Sequence, residues 1–147
     1  MERSPRIGAD VCLSRLFKTG RRRALPRPIY AVSPDGSVAV THDFERMQHG
    51  GTDYVGLPDP NSDEYAPKTA GIWRVDLITG EAKMIVSLAD VVPHIPREAL
   101  PERGPRYFFR EGWNPSGSRF IALVKAPENR LNKAFSLAAD GSDLRYL

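Results

Sequence analysis

The chain has 147 residues, 41% of them apolar, 27% charged and 9% aromatic, a globular balance that excludes disordered, collagenous and membrane-embedded classes. Its net charge of +3 is uneven: residues 1–27 carry eight Arg or Lys against Glu2 and Asp10, giving +6, and residues 28–147 carry thirteen against sixteen acids, giving −3. The larger part would repel a phosphate backbone, and Arg21-Arg22-Arg23 lack interleaved aromatics, so no nucleic-acid partner is expected.

In chain order, residues 1–27 form a basic N-terminal segment. Arg3, Arg6, Asp10 and Arg15 interrupt its apolar residues, so it reads neither as a signal peptide nor as a membrane segment, and the expected compartment is the cytoplasm. Cys12 is the single cysteine and has no partner for a disulfide or at zinc-ligand spacing. Residues 11–25 are expected to hold the last strand of a preceding repeat, with Lys18-Thr19-Gly20-Arg21 as its turn.

Residues 28–88 predict four short strands, near 28–32, 37–43, 71–77 and 82–88. The chain has 12 Gly and 13 Pro, more than average usage, and they mark the turns. Ser33-Pro34-Asp35-Gly36 joins the first two strands: Pro presets the backbone of the turn and Gly reverses it. Ile78-Thr79-Gly80-Glu81 joins the last two. Residues 89–147 repeat the pattern, with strands near 106–113, 119–124, 133–138 and 143–147, and with turns at Asn114-Pro115-Ser116-Gly117 and Ala139-Asp140-Gly141-Ser142. Trp73 and Trp113 fall on strands and are expected to pack between sheets. A recurring four-stranded meander with these turns is the unit of a β-propeller. The expected fold is therefore all-β, antiparallel four-stranded meanders forming two consecutive blades of an incomplete propeller. Two blades leave strand edges and apolar faces open, so the expected partners are the remaining blades of a longer propeller or further copies of the chain.

Connections alternate between the two ends of a meander. The tight turns share one end, and the long connections 44–70, 89–105 and 125–132 share the other, which becomes the expected ligand face. Asp43, Arg46, Gln48, His49, Asp53, Tyr54, Asp59, Asp63, Glu64 and Tyr65 lie in or just before the longest loop. Of these, Asp43, Arg46, Gln48, His49, Asp53, Tyr54, Glu64 and Tyr65 are the candidate ligand-binding residues, a polar and aromatic set suited to an acidic sugar or a protein. The competing reading is a solvated loop braced by Pro58, Pro60 and Pro67. His42, His49 and His94 form no local metal pair, and His42, alternating with apolar neighbours, is expected to be a surface or core residue. Asp59-Pro60-Asn61-Ser62-Asp63 opens like a calcium loop, but Glu64 stands where Gly is needed and Ala70 where Glu is needed. No Gly-x-Ser-x-Gly elbow occurs. No catalytic residue, metal ligand or cofactor is predicted.

Pro26 to Gly36, then Gly56-Leu57-Pro58-Asp59-Pro60, then Gly71 to Glu81 resemble bacterial propellers similar to oligogalacturonate lyase and to the Tol-system periplasmic propeller protein. The resemblance covers about 25–147. It implies a carbohydrate-associated family whose lyases cleave galacturonides by β-elimination around a histidine-held divalent metal. The chain departs where those histidines are expected, reading Arg106-Tyr107-Phe108-Phe109-Arg110-Glu111-Gly112-Trp113. A family member without catalytic activity is expected, or a non-enzymatic propeller module that binds through its long loops.

Overall fold

The computed structural model describes residues 12–15, 22–51, 54–99, 104–127 and 132–147. Ten strands are described: β1 (Cys12–Arg15), β2 (Arg22–Leu25), β3 (Ala31–Val32), β4 (Val38–His42), β5 (Gly71–Asp76), β6 (Ala82–Ser87), β7 (Tyr107–Trp113), β8 (Arg119–Lys125), β9 (Asn132–Ala138) and β10 (Arg145–Tyr146). They make two antiparallel four-stranded meanders, β3-β4-β5-β6 and β7-β8-β9-β10, and a separate two-stranded sheet, β1-β2. The chain is mostly β, as the turn-rich composition predicted. Strands β3 and β10 are shorter than expected, two residues each, because pairing covers only Ala31↔Val40 with Val32↔Ala39 and Arg145↔Ser136 with Tyr146↔Phe135. Residues 11–25 hold two paired strands rather than one; the predicted turn at Lys18–Arg21 lies outside the described residues.

The repeat extends to individual hydrogen bonds. Ser33 N–H donates to Val38 O and Gly36 N–H to Ser33 O; Asn114 N–H donates to Arg119 O and Gly117 N–H to Asn114 O. Leu77 N–H donates to Ser37 O as Ala139 N–H donates to Ser118 O. Gly36 and Gly117 have φ of 73° and 70°, the left-handed region where a Cβ is costly, which is why both turns end in Gly. These matches make Val38 equivalent to Arg119 and Val40 to Ile121, and the registers Val40↔Arg74 and Ile121↔Ser136 extend the equivalence to the next strand.

The sheets stack face to face around one core. Val40, Ile72 and Val86 from the first meet Phe108, Phe120, Ala122, Val124, Phe135 and Leu137 from the second. Trp113 packs against this core and donates its indole N–H to Ala31 O at 3.1 Å, as expected for a tryptophan between sheets. All five residues of β4 are buried, so both faces of the first sheet are covered. Its forward face, with Val38, Val40 and His42, meets the second sheet; Ala39, Thr41 and Val75 face back. At the other end of the first meander, the Arg23 guanidinium donates to Ile78 O, tying the β1-β2 sheet to the β5-β6 turn.

The long connections fold onto the core. Phe44–Gly50 forms a 3-10 helix, and a short helix, α1 (Leu88–Val91), is closed by a capping box between Ser87 and Asp90. Ala70, Leu88, Val91, Ile95 and Ala126 join the sheet residues in the core.

Two outcomes follow. At Gly71, which pairs with Ser87 just before the β-bulge between Ile72 and Trp73, a Cβ would run into Val86 O and lie 2.8 Å from Ser87 Cα, whereas at Gly112 it would meet only Ile121 Cγ1 at 3.8 Å. Gly71→Ala is expected to cost about 3 kcal/mol or more in urea denaturation and Gly112→Ala less than about 1. In the first turn, the Asp35 carboxylate accepts from Ser33 Oγ, Ser37 N and Ser37 Oγ, which lower its pKa from 3.8 to about 2. A depressed carboxyl stabilises the fold fully above its unfolded value and loses that contribution as pH falls through the folded value. A carboxyl NMR titration is expected to place Asp35 near 2, and Asp35→Asn to remove its share of the acid sensitivity between about 4 and 2.

Candidate functional site

Just after β4, the chain turns through Asp43 into the 3-10 helix and sets the long-loop end. Asp43 is buried: Oδ1 accepts from Arg27 Nη1 at 2.6 Å and from Trp73 Nε1 at 3.1 Å, and Oδ2 accepts from Gly71 N at 2.6 Å. Arg27 lies over the Trp73 ring at 3.5 Å. Both carboxylate oxygens are therefore used inside the protein.

Arg46 is 1% exposed. Its Nε donates to Arg106 O (2.9 Å), Nη1 to Asn61 O (2.8 Å) and Asp59 Oδ2 (3.1 Å), and Nη2 to Glu64 O (3.0 Å). Burial pushes the guanidinium below its ordinary pKa, and Asp59, Asp43, Glu45 and Glu64 oppose that shift. Asp59 Oδ2 also meets His49 Nε2 at 2.8 Å, while Oδ1 accepts from Asn61 N. Gln48 donates to Glu45 O and Leu57 O. Tyr65, half-buried, accepts from Arg106 through its hydroxyl and lies under that guanidinium, 4.0 Å from its ring centroid. Of the predicted set, Asp43, Arg46 and Tyr65 thus hold the loop to the sheets or to Arg106 at the entry to β7, and Gln48 and His49 tie the loop to itself. Glu64 keeps an exposed side chain, Tyr54 is exposed, and Asp53 lies outside the described residues.

Beside this network lies a group that sequence spacing did not bring together. His42 Nδ1 sits 2.9 and 3.0 Å from the two Glu111 oxygens, and Nε2 lies 3.0 Å from Met47 Sδ. The pair is buried and bridges the two sheets. Glu111 reaches His42 because β7 bulges at Arg110, whose φ is 59°, and no residue type at Arg110 announces that bulge. Tyr30 lies 5.3 Å from His42, Phe44 stacks on it at 4.5 Å and 24°, and Tyr54 meets Phe44 edge-on at 4.9 Å. Burial, then Glu111, raises the Tyr30 pKa, with Arg110 opposing and Tyr54 adding to it.

Among the described residues no three His, Cys, Asp or Glu side chains cluster to hold a metal ion, and no helix is long and apolar enough to cross a membrane. An open depression of about 300 Å³ lies at the short-turn end of the second sheet, lined by Gly112, Trp113, Asn114, Arg119, Phe120, Ile121 and Ser136. Comparison with family models, curated proteins and solved structures found no match to the chain.

Because Asp59 is 1% exposed at its side chain, removing its cation leaves a buried charge. Arg46→Leu is expected to lose about 3–5 kcal/mol in urea denaturation, and Arg46→Leu with Asp59→Leu to recover part of that loss. A loss below about 1 kcal/mol for the single variant would contradict the role given to Arg46.

Proposed function

We propose that the two meanders are consecutive blades of a β-propeller of the oligogalacturonate-lyase-like type, serving as a non-enzymatic binding module through the long-loop face. One observation carries the reading: the sheets stack in the same sense, so the face that the first sheet buries is the face that the second leaves open. Val40 is fully buried against the second sheet, while its equivalent Ile121 is 49% exposed. Gly112, Leu123, Ala134 and Ser136, half-buried, share that open face with Ile121. A stack whose last unit keeps the apolar face used by the first accepts another sheet of the same kind. The non-enzymatic part of the reading rests on a different feature: the Asp43 and Asp59 carboxylates and His42 engage protein groups at hydrogen-bond distance, which commits these three to the fold rather than to a substrate.

Ile121→Glu is expected to change unfolding free energy by less than about 0.5 kcal/mol, and Val40→Glu to unfold the chain. The wild-type chain is expected to self-associate with concentration in light scattering, and Ile121→Glu with Leu123→Lys to suppress this. A clean monomer at every concentration would remove the blade reading. Release of unsaturated products from oligogalacturonides with added divalent metal would remove the non-enzymatic one.

A further inference from the structure

Tyr30 and Tyr54 are 39% and 48% exposed, and both rings lean on Phe44, at 6.3 and 4.9 Å. Phe44 is itself buried and stacked on His42, which Glu111 holds. Two exposed rings thus share a floor fixed through both sheets, so they offer contact area with little rotamer freedom to lose on binding. Non-glycine residues in the left-handed region cost about 1–3 kcal/mol and concentrate at functional sites. Tyr54, at φ 56°, and Arg110, at φ 59°, are two such residues; Tyr54 meets Phe44 edge-on, and the Arg110 guanidinium lies 5.2 Å over the ring of Phe109, which packs against the cluster of Phe44, Met47 and Tyr107.

The chemistry of this patch follows from what remains exposed. Neighbouring Asp43, Arg46 and Asp59 spend their side-chain polar atoms inside the protein, and Gln48 its amide N–H groups. Left outward among the described residues are two phenol rings with their hydroxyls, the exposed side chain of Val55, and the Arg110 guanidinium beside the Phe109 ring. A sugar needs a dense set of donors and acceptors around its hydroxyls, and the described residues of this patch offer few. An extended proline-rich segment needs aromatic ridges for its pyrrolidine rings and a few donors for its solvated carbonyls. The exposed cation favours an acidic residue next to the prolines.

We propose that Tyr30 and Tyr54 form a docking site for an extended proline-rich peptide segment carrying an acidic residue opposite Arg110. This rests on the reading of the long-loop face as a binding surface and names the partner that face takes. The intact chain is titrated with a synthetic peptide of Pro-Pro-Glu repeats, followed by amide and aromatic NMR shifts and by calorimetry. Shifts are expected at Tyr30, Phe44, Tyr54 and Arg110. Tyr54→Asn, which keeps a residue tolerant of positive φ, and Tyr30→Ala are each expected to weaken binding at least about 10-fold. Tyr30→Phe is expected to retain most of it. Arg110→Asn is expected to weaken the Pro-Pro-Glu peptide but not a Pro-Pro-Ser peptide.

Absence of peptide-induced shifts in the wild-type chain overturns the proposal, as does binding that neither tyrosine variant weakens. So does an oligogalacturonide that shifts the two tyrosines when the peptide does not. In each of these results, self-association through Ile121 remains the separate readout of the blade reading, so the two can fail independently.

Discussion

The burial of Arg46 constrains more of this molecule than any other single interaction. A guanidinium taken out of water must have its N–H groups satisfied, and here the acceptors come from three stretches of chain: Asp59 with Asn61 O, Glu64 O, and Arg106 O at the entry to β7. Drawing those groups around one side chain folds the long connection between β4 and β5 back on itself and ties it to the second sheet. The same end is reinforced by Asp43, which joins Arg27, Trp73 and Gly71. The described residues of that connection consequently form a platform held to both sheets.

That platform stands on a repeated scaffold. Equivalent hydrogen bonds in the two meanders set equivalent registers, and a period-two strand then commits every side chain to a face. Once Val40 faces the second sheet, Ile121 must face away from the first. The open apolar face therefore follows from the repeat and not from a local irregularity. The back of the first sheet, where Val75 is fully buried, shows the alternative state, a face that is covered.

At the inner seam, the irregularity matters instead. The bulge at Arg110 interrupts the alternation of β7 and lets Glu111 meet His42 across the sheets. Phe44 lies flat on that histidine and in turn supports Tyr30 and Tyr54. A buried ionisable pair, an aromatic floor and two exposed rings are thus one mechanical unit. The exposed pair inherits its position from contacts between sheets, which is why the proposed peptide site belongs to neither meander alone.

The strands and tight turns were legible because their determinants are local: Pro and Gly at fixed places in the turns and short apolar runs between them. The candidate loop residues were legible only as a list of types. The same Asp and Arg side chains can face a ligand or satisfy each other, and that choice depends on which carbonyls lie within about 3 Å after folding. Asp59, part of a stretch that fails as a calcium loop, is a partner of Arg46 and His49; Glu111 carries no signal in the sequence because its meeting with His42 depends on a bulge. The sequence by itself determined an all-β chain of two four-stranded meanders, since turn chemistry and strand patterning act between near neighbours. Only the tertiary structure decided which polar groups are spent inside, which sheet face stays open and which aromatic rings stand together, because those outcomes depend on contacts between residues far apart in the chain.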